Sequence, residues 1–362
     1  MENAINVSVH YLTPQRVLDM VSDFTWMIGG PQGSGVETAA NIFSQVFSKM
    51  GYQIFGKREY YSNIKGEHSY FAVRISDKKI RSSVKGTNML IAFDAETIFR
   101  HVDDVLESGI IIYDSTLENM KISDVITFEN DFKDRLENLL KARNKESNVK
   151  GMLELASENG VTIHSVSFRS LLTELSEKLE NPRIKNMSRM FNVLGVSLSL
   201  GLLMIPSEKL TESVNLIFSK KKSIADMNAS AANFAYNYAA AKFDEPNFKF
   251  EAKEIEENTL LVQGYYGTSL GKIIAGCRFQ SYYPITPATD ESNFLETNEI
   301  LEINEDRPGS TLVIQTEDEI SAIGMAIGSS LTGVRSATCT SGPGFVLMAE
   351  CLSWAGINEV PV

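Results

Sequence analysis

Cysteine and histidine are scarce in this chain, and their positions exclude several kinds of site. The 362 residues contain three cysteines, Cys277, Cys339 and Cys351, and no pair of them has Cys-x-x-Cys spacing. The chain alone therefore cannot supply four thiolates to an iron–sulfur cluster or to a structural zinc site. The four histidines are scattered through the first half of the sequence. They show no His-x-x-x-His pair and no Ser/His/Asp order, which argues against a zinc enzyme or a hydrolase.

The sequence also lacks an apolar run of the ~20 residues that would cross a bilayer. The longest candidate, 193–205, is interrupted by serines and glycines. The first residues show no apolar segment of the secretory type, so we expect a cytoplasmic protein. The formal net charge is −12 at pH 7. We expect neither nucleic acid nor an anionic membrane as a partner, because both require a basic surface.

The composition that remains is typical of a globular α/β protein with two domains. Hydrophobic residues make up 43% of the chain and charged residues 22%, and the length suffices for two separate cores. A short apolar strand, 24–28, leads through a glycine-rich loop, 29–35, into a helical stretch, 36–50, which is the opening of a doubly wound domain. The glycines do not match Gly-x-Gly-x-x-Gly, so close packing of the turn is favoured over dinucleotide binding.

The rest of the first domain predicts a largely parallel sheet covered on both faces, because several apolar strands show no alternation. The polar, aromatic-rich connection 58–70 could line a site, or it could be an ordinary solvated loop. Small residues at Gly195 and Gly201 predict a close contact between helices. The predicted strands are 52–55, 70–75, 88–93, 109–113 and 161–168, and the predicted helices are 95–106, 131–159, most of 170–238, and 224–242.

An acidic, aperiodic segment, 244–258, predicts a linker on composition alone. It separates a first domain, 24–243, from a second, 259–362, and residues 1–23 form an N-terminal extension. The last residues, 359–362, have the pattern of another buried strand, so we expect the second domain to be incomplete and the natural chain to be longer. The predicted strands of this domain are 260–262, 278–282, 311–315 and 334–338, and the predicted helices end at 276, begin at 288, and span 317–331 and 345–355.

The stretch Tyr283-Pro284-Ile285-Thr286-Pro287 is the most distinctive part of the second domain. Each proline fixes its own φ and restricts the residue before it, so the backbone is stiff before any ligand binds. Pro287 suits the first position of a helix and Thr286 suits its N-cap, so we expect the stretch to end a strand and open a helix. The positive end of a helix favours a carboxylate or a phosphate. A lone Thr-Pro pair is more often a simple cap.

Two further motifs follow in the second domain, Thr316-Glu317-Asp318-Glu319 and Thr340-Ser341-Gly342-Pro343-Gly344. Together with residues 28–36, residues 59–66 and the Tyr283–Pro287 stretch, they make five motifs in an order that resembles the 2-oxoacid:ferredoxin oxidoreductases. The closest likeness is to the large archaeal-type subunit, in which a γ domain is fused ahead of an α domain. The resemblance covers nearly the whole chain. It implies a γ domain followed by an α/β domain that binds the pyrimidine of thiamine diphosphate.

The resemblance also implies roles for individual residues. In thiamine enzymes the glutamate that hydrogen-bonds the cofactor's pyrimidine lies nine residues before a glycine, and Glu319 with Gly328 fits this interval better than Glu317 does. The alternative is that 317–319 forms only the acidic first turn of a helix, which suits the helix dipole. By resemblance Thr286 binds the 2-oxoacid substrate. The residues implied to bind the cofactor are Glu319, Tyr283, Pro284, Ile285, Thr340, Ser341, Gly342, Pro343 and Gly344.

The chain has no Gly-Asp-Gly, the usual sign of a magnesium diphosphate site in thiamine enzymes. The resemblance therefore implies that Mg²⁺ and a [4Fe–4S] cluster belong to a partner β subunit, that ferredoxin docks there, and that this chain binds no metal. The implied reaction is oxidative decarboxylation of a 2-oxoacid with coenzyme A, giving acyl-CoA, CO2 and reduced ferredoxin, only in the presence of the partner. The alternatives are a transketolase-like half of another thiamine enzyme and a non-catalytic assembly subunit.

Overall fold

The computed structural model describes residues 21–60, 67–244, 246, 248–255, 259–304 and 307–362. The chain divides into two compact units between Thr259 and Leu260. Most of the predicted N-terminal extension, 1–23, and most of the predicted motif 59–66 lie outside the described residues.

The first unit is built on one six-stranded sheet. Its strands are β1 (Asp23–Pro31), β2 (Gln53–Tyr60), β3 (His68–Ser76), β4 (Thr87–Ala92), β5 (Val105–Asp114) and β6 (Thr162–Val166). They lie in the order β2-β3-β1-β4-β5-β6. The neighbouring strands β1, β4, β5 and β6 pair in parallel. Strand β3 is antiparallel to both of its neighbours, β1 and β2. The predicted parallel sheet is therefore confirmed for that part and carries an antiparallel extension at one edge.

Helices cover both faces of this sheet, as the unbroken apolar strands predict. They are α1 (Val36–Ser48), α2 (Ala95–His101), α3 (Asn130–Ala142), α4 (Val149–Glu158), α5 (Phe168–Lys178), α6 (Phe191–Leu202), α7 (Ser207–Ile217) and α8 (Lys222–Lys242), with short 3₁₀ helices at Val102–Asp104, Ser115–Leu117, Ile122–Asp124, Ile184–Asn186 and Ser188–Met190. Trp26 and Ile28 of β1 pack against α1 and α5 to α8, while Met27 between them packs against α2 to α4. Alternation along a strand thus divides the unit into two hydrophobic cores.

The most apolar helix, α6, lies entirely inside the first core and packs along α8. A Cβ atom at Gly201 would collide with the main chain of Tyr236, so the predicted close helix contact is confirmed there. The indole N–H of Trp26 donates to Ser199 Oγ at 3.0 Å, which satisfies both polar groups inside the core. Within the described part of the chain, no helix combines the length and the apolar character needed to cross a membrane.

Three predicted elements of the first unit end elsewhere than expected. The helix predicted at 95–106 stops at His101, and β5 begins at Val105. The helix predicted at 131–159 is two helices, and Asn144 between them has a left-handed φ of 54°. The strand predicted at 161–168 ends at Val166, because Ser167 Oγ accepts a hydrogen bond from the Ser170 N–H at 3.2 Å and caps α5.

The described part of the predicted acidic linker, 244–258, packs on the first unit. The rings of Phe248 and Phe250 stand edge-on to the ring of Phe24, with centroids 5.0 Å and 5.3 Å away. The backbone N–H of Lys253 donates to Met50 O at 2.8 Å. Residues 248–253 therefore belong to the aromatic edge of the first core, although acidic residues dominate the composition around them.

The second unit has a parallel sheet of three strands, β7 (Phe279–Tyr282), β10 (Leu312–Gln315) and β11 (Ser336–Cys339), with β7 in the middle. A separate antiparallel hairpin, which the sequence did not predict, joins β8 (Ile300–Asn304) to β9 (Arg307–Ser310). The helices are α9 (Gly264–Ile274), α10 (Thr289–Thr297), α11 (Glu319–Leu331) and α12 (Gly342–Ile357).

Two strands predicted for the second unit are wrong. Residues 260–262 and 359–362 are described, and neither segment forms a strand. Leu260 is 77% exposed, so this apolar segment gains no core that would favour a strand. Glu359 has a left-handed φ of 56°, which is incompatible with extended backbone at that position.

Candidate functional site

Three sequence motifs of the second unit leave the same edge of its sheet. Tyr282, Gln315 and Cys339 are the last residues of β7, β10 and β11, and they are aligned in register. The segments that follow them therefore start side by side. The chain runs from β7 to β10 on one side and then to β11 on the other, which makes β7 a point of topological reversal. Open parallel sheets bind ligands at this edge and at this kind of point.

Asp318, and not Glu319, caps helix α11. Asp318 Oδ1 accepts a hydrogen bond from the Ser321 N–H at 2.6 Å, and this bond lowers the pKa of Asp318. Glu319 is the first residue of the helix and is only 7% exposed, whereas Glu317 is exposed. The acidic turn thus divides into one capping residue, one exposed residue and one buried residue. An acidic turn that served only the helix dipole would not need to bury a carboxylate.

Two hydroxyls hold the backbone on either side of Glu319. Thr316 Oγ1 lies 3.1 Å from Tyr282 O and 2.8 Å from Asp318 O, so it links the end of β7 to the start of α11. Ser281 Oγ donates to Ala322 O at 2.6 Å and ties the first turn of α11 to the sheet. The position of the Glu319 backbone is therefore fixed by side chains from two strand ends.

The Glu319 carboxylate itself has no hydrogen-bond partner within the part of the chain that the structure describes. Its neighbour is Thr340, whose Oγ1 is buried and without a partner there. A Cβ atom at Gly344 would lie 2.7 Å from Glu319 Oε1 and would collide with Thr340 Oγ1. Buried polar groups are almost always paired. A carboxylate and a hydroxyl that lie close together without partners are therefore available to bind the polar edge of a ligand.

Thr286 does not cap a helix, so that prediction is wrong. Helix α10 begins at Thr289, its N-cap is Ala288, and it has no side-chain cap. The Thr289 N–H donates to Ile285 O at 3.0 Å, so the backbone supplies the acceptor expected from the threonine. The Thr286–Pro287 peptide is cis. The side chain of Thr286 is exposed at the same sheet edge as Glu319.

A polar network that sequence reasoning missed lies on the other face of β7. Gln280 Nε2 donates to Ser292 Oγ at 2.8 Å, and Ser292 Oγ lies 3.2 Å from Cys339 Sγ. Cys339 Sγ in turn contacts Ala288 O at 3.5 Å, and burial raises the pKa of the Cys339 thiol. Lys272 joins the network through Gln280 Oε1 at 2.7 Å. The network connects the end of β11 to the turn after Thr286, and its signal in the sequence was a glutamine inside a buried strand.

The glycine loop of the first unit packs closely, as predicted. A Cβ atom at Gly29 would lie 2.5 Å from Thr97 Cγ2, which leaves no room for a side chain there. Gly35 precedes α1 with a left-handed φ of 86°, a conformation that favours glycine. Among the described residues, no group of three or more His, Cys, Asp or Glu side chains could hold a metal ion.

The first unit also contains a polar cavity of about 430 Å³ next to His68. Burial, followed by the nearby His101 and Arg100, lowers the pKa of His68 to about 3, so this imidazole is neutral at pH 7. Glu96 in the cavity wall is already paired with Arg100 at 2.7 Å and accepts from Thr127 at 2.6 Å. These groups stabilise one another, and the arrangement is that of a structural polar cluster.

Comparison with known families identifies both units. Residues 25–238 match the family model "Pyruvate ferredoxin/flavodoxin oxidoreductase", which covers more than half of the chain. This chain belongs to the pyruvate ferredoxin/flavodoxin oxidoreductase family. Residues 270–362 match a second model of this family, "Pyruvate flavodoxin/ferredoxin oxidoreductase, thiamine diP-bdg". The predicted family and the predicted thiamine diphosphate-binding domain are thereby confirmed, and the site described above lies inside that domain.

Several members of the oxidoreductase family align with most of the chain. The 2-oxoacid:ferredoxin oxidoreductase 1, subunit alpha, of Sulfurisphaera tokodaii is 43% identical over 343 residues, which are 93% of this chain and 53% of that protein. The 2-oxoacid:ferredoxin oxidoreductase subunit alpha of Saccharolobus solfataricus is 40% identical over 344 residues, which are again 93% of this chain and 53% of that protein. The 2-oxoglutarate synthase subunit KorA of Methanothermobacter thermautotrophicus is 45% identical over 101 residues, 28% of this chain and 25% of that one. This chain spans about half the length of the first two relatives.

A solved member of the family confirms the fold. The 2-oxoglutarate:ferredoxin oxidoreductase from Magnetococcus marinus, determined with 2-oxoglutarate, coenzyme A and succinyl-CoA bound, superposes with a TM-score of 0.68 at 21% sequence identity. The match covers 94% of this chain and 51% of that one. The roles of individual residues in our chain, including Glu319 and Thr286, remain predictions.

Proposed function

We propose that this chain is a subunit of an enzyme that oxidatively decarboxylates a 2-oxoacid with coenzyme A, giving acyl-CoA, CO2 and reduced ferredoxin. The observation that carries the proposal is the buried Glu319 carboxylate, which has no partner among the described residues and lies at the carboxyl edge of a parallel sheet. The thiamine diphosphate-binding family model covers this position. The names of the aligned relatives support the reaction.

When bound, thiamine diphosphate supplies the electron sink for decarboxylation. Glu319 hydrogen-bonds the pyrimidine ring and holds a proton at its ring nitrogen. The low exposure of Glu319 limits the competition of water for this hydrogen bond and so would strengthen it. The segments Tyr283–Ile285 and Thr340–Gly344 flank the same edge and exclude solvent from the ring. Thr286, whose exposed hydroxyl serves no helix cap, donates to the carboxylate of the 2-oxoacid.

We assign Mg²⁺, the diphosphate site and a [4Fe–4S] cluster to a partner β subunit, and ferredoxin docking to that subunit as well. The three cysteines in this sequence fall short of the four thiolates that usually hold such a cluster, which supports this assignment. Helix α12 supports the presence of further protein, since it exposes large apolar side chains: Phe345, Val346, Leu347, Trp354 and Ile357. The proposed location is the cytoplasm, and the proposed partners do not include nucleic acid or a membrane.

Glu319→Gln in the complete complex tests the proposal, with Glu317→Gln as its matched control. We expect Glu319→Gln to lower turnover by at least about 10²-fold, the scale of a lost proton-handling group, and to weaken thiamine diphosphate binding. Glu317 is exposed, so its variant should behave as the unaltered complex does. Gel filtration checks that both variants assemble.

The opposite result reassigns the role. If the Glu317→Gln complex is inactive and the Glu319→Gln complex is active, Glu317 is the residue that binds the pyrimidine. If both variants turn over normally and bind the cofactor normally, the chain is an assembly subunit and the proposed reaction is not carried by this site.

A further inference from the structure

The side chain of Glu319 is much less constrained than its backbone. Thr316 and Ser281 fix the peptide groups around it by hydrogen bonds of 2.8 Å and 2.6 Å. The carboxylate, in contrast, is bonded to nothing in the described part of the chain. A hydrogen bond that activates a cofactor must point in one direction. Some further group must therefore select one conformation of this side chain.

We infer that Thr340 positions Glu319, by donating its hydroxyl hydrogen to one carboxylate oxygen when the cofactor is bound and leaving the other oxygen for the pyrimidine. The inference rests on the proposed function, since it concerns the same site. Thr340 Oγ1 is buried without a partner among the described residues, and a Cβ atom at Gly344 would collide with both Thr340 Oγ1 and Glu319 Oε1. The hydroxyl and the carboxylate therefore lie next to each other at Gly344.

Gly344 provides the space that this arrangement needs. Because Gly344 has no side chain, the Glu319 and Thr340 side chains both reach its Cα, and a methyl group there would collide with both of them. Gly344 lies in the first turn of α12, where a side chain costs nothing in helix formation. Glycine at this position is therefore explained by the site and not by the helix.

Thr338 offers a matched control for Thr340. Its Oγ1 is also buried without a partner in the described part of the chain. Thr338 belongs to β11, lies opposite Ser281 of β7 and precedes Thr340 by two residues. The two threonines thus share their chemistry and a buried hydroxyl, but Thr338 lies further from the sheet edge, by about 6.6 Å at 3.3 Å per strand residue.

The test compares Thr340→Val, Thr340→Ser and Thr338→Val in the complete complex. Valine removes a buried unsatisfied hydroxyl, so the thiamine-free complex with Thr340→Val should be at least as thermally stable as the unaltered one. Its thiamine diphosphate affinity, measured by calorimetry, should fall about tenfold, which corresponds to ~1.4 kcal/mol. Thr340→Ser keeps the hydroxyl and should restore the affinity. Thr338→Val should likewise leave the thiamine-free complex at least as thermally stable, and it should not change the affinity for thiamine diphosphate.

Two results would overturn the inference. One is wild-type affinity in Thr340→Val, and the other is an equal loss of affinity in Thr340→Val and Thr338→Val, which would indicate a general effect of β11. Glu319→Gln separates this failure from a failure of the proposed function. If Glu319→Gln loses cofactor affinity while Thr340→Val does not, only the positioning role fails. If Glu319→Gln also binds normally, the proposed function fails with it.

Discussion

Thr286 is exposed, and the first turn of α10 takes its acceptor from the Ile285 carbonyl. Thr286→Ala should therefore leave the thermal midpoint unchanged. The same change should raise KM for the 2-oxoacid and lower kcat/KM by roughly ten- to 150-fold, since a hydrogen bond to a charged group contributes ~1.5–3 kcal/mol. Steady-state kinetics and a thermal melt on one preparation of the complex check both statements.

Thr297→Ala is a useful control for Thr286→Ala. Thr297 is exposed too, but its hydroxyl donates to Asn293 O at 2.7 Å within α10. We expect Thr297→Ala to leave KM and kcat/KM for the 2-oxoacid almost unchanged. If Thr286→Ala instead lowers stability and leaves kcat/KM as it was, the threonine has a structural role and does not touch substrate.

At the scale of single residues, the choice of Glu319 over Glu317 stays a prediction, and the surroundings of Glu319 were not predicted. The choice rests on the interval to Gly328 that the family resemblance supplies, and spacing along a helix is a local property. Ser281, which bonds Ala322 O, belongs to β7, and the neighbouring Thr340 directly follows β11. Their proximity to Glu319 depends on the strand order, which no local pattern contains.

At the scale of elements, helix α11 begins with a capping residue, Asp318, next to Glu319, the residue proposed to bind the cofactor. Asp318 holds the Ser321 N–H, and its lowered pKa means that its contribution to stability is present above the usual carboxylate range and is lost as the pH falls through the lowered value. Asp318→Ala should lower the thermal midpoint by a small amount and leave thiamine diphosphate affinity within about twofold, as expected of a cap remote from the ligand.

Asp318→Asn gives the control, because asparagine is an equally good cap without the charge. Asp318→Asn should leave the thermal midpoint at pH 7 unchanged, and the midpoint should then depend less on pH in the acid range. A loss of cofactor affinity in Asp318→Ala as large as that in Glu319→Gln would contradict the separation of the two roles, and would make the whole acidic turn part of the site.

Element boundaries show what sequence patterns can and cannot predict. The strands that enter the site, β7, β10 and β11, were predicted to within two residues, since short apolar runs after glycine or charged turns are locally distinctive. The insertion of β3 between β2 and β1, antiparallel to both, was not predicted. Pairing of this kind depends on which faces pack against helices, and that is decided by the tertiary structure.

At the scale of the whole molecule, net charge predicts which subunit passes electrons to ferredoxin in the proposed reaction. We expect an acidic ferredoxin, and a chain with net charge −12 would repel it and slow association. Neutralising Glu251 and Glu254 by glutamine should therefore change the second-order rate of ferredoxin reduction little at any ionic strength. Reversing basic patches on the partner subunit should lower the rate and flatten its salt dependence.

Glu251 and Glu254 are informative because this segment is docked: the Tyr52 hydroxyl donates to Glu251 O at 3.1 Å. Substitution of their side chains removes two negative charges but keeps the backbone hydrogen bond that holds the segment to the first unit. A large loss of coupling in this double variant would mean that ferredoxin docks on this chain, and the proposed division of labour would be wrong.

The acidic segment also shows how composition misled the prediction. Acidic residues suggested a solvated linker, yet Phe248 and Phe250 lie two residues apart and direct their rings into the same aromatic cluster. Alternation over three residues was the available signal. A window long enough to average over the neighbouring glutamates conceals it.

The order β10-β7-β11 has a consequence for how the protein folds. β7 cannot pair with the next parallel strand until a crossover of some thirty residues has closed, and β11 must then pass to the far side of β7. Such non-local pairings form slowly, because the entropy of loop closure is lost before any contact repays it. We therefore expect β11, which closes the longer loop onto β7, to pair after β10 does. A ligand that contacts all three strand ends binds only the finished sheet, and mass action then draws newly synthesised chains into that state.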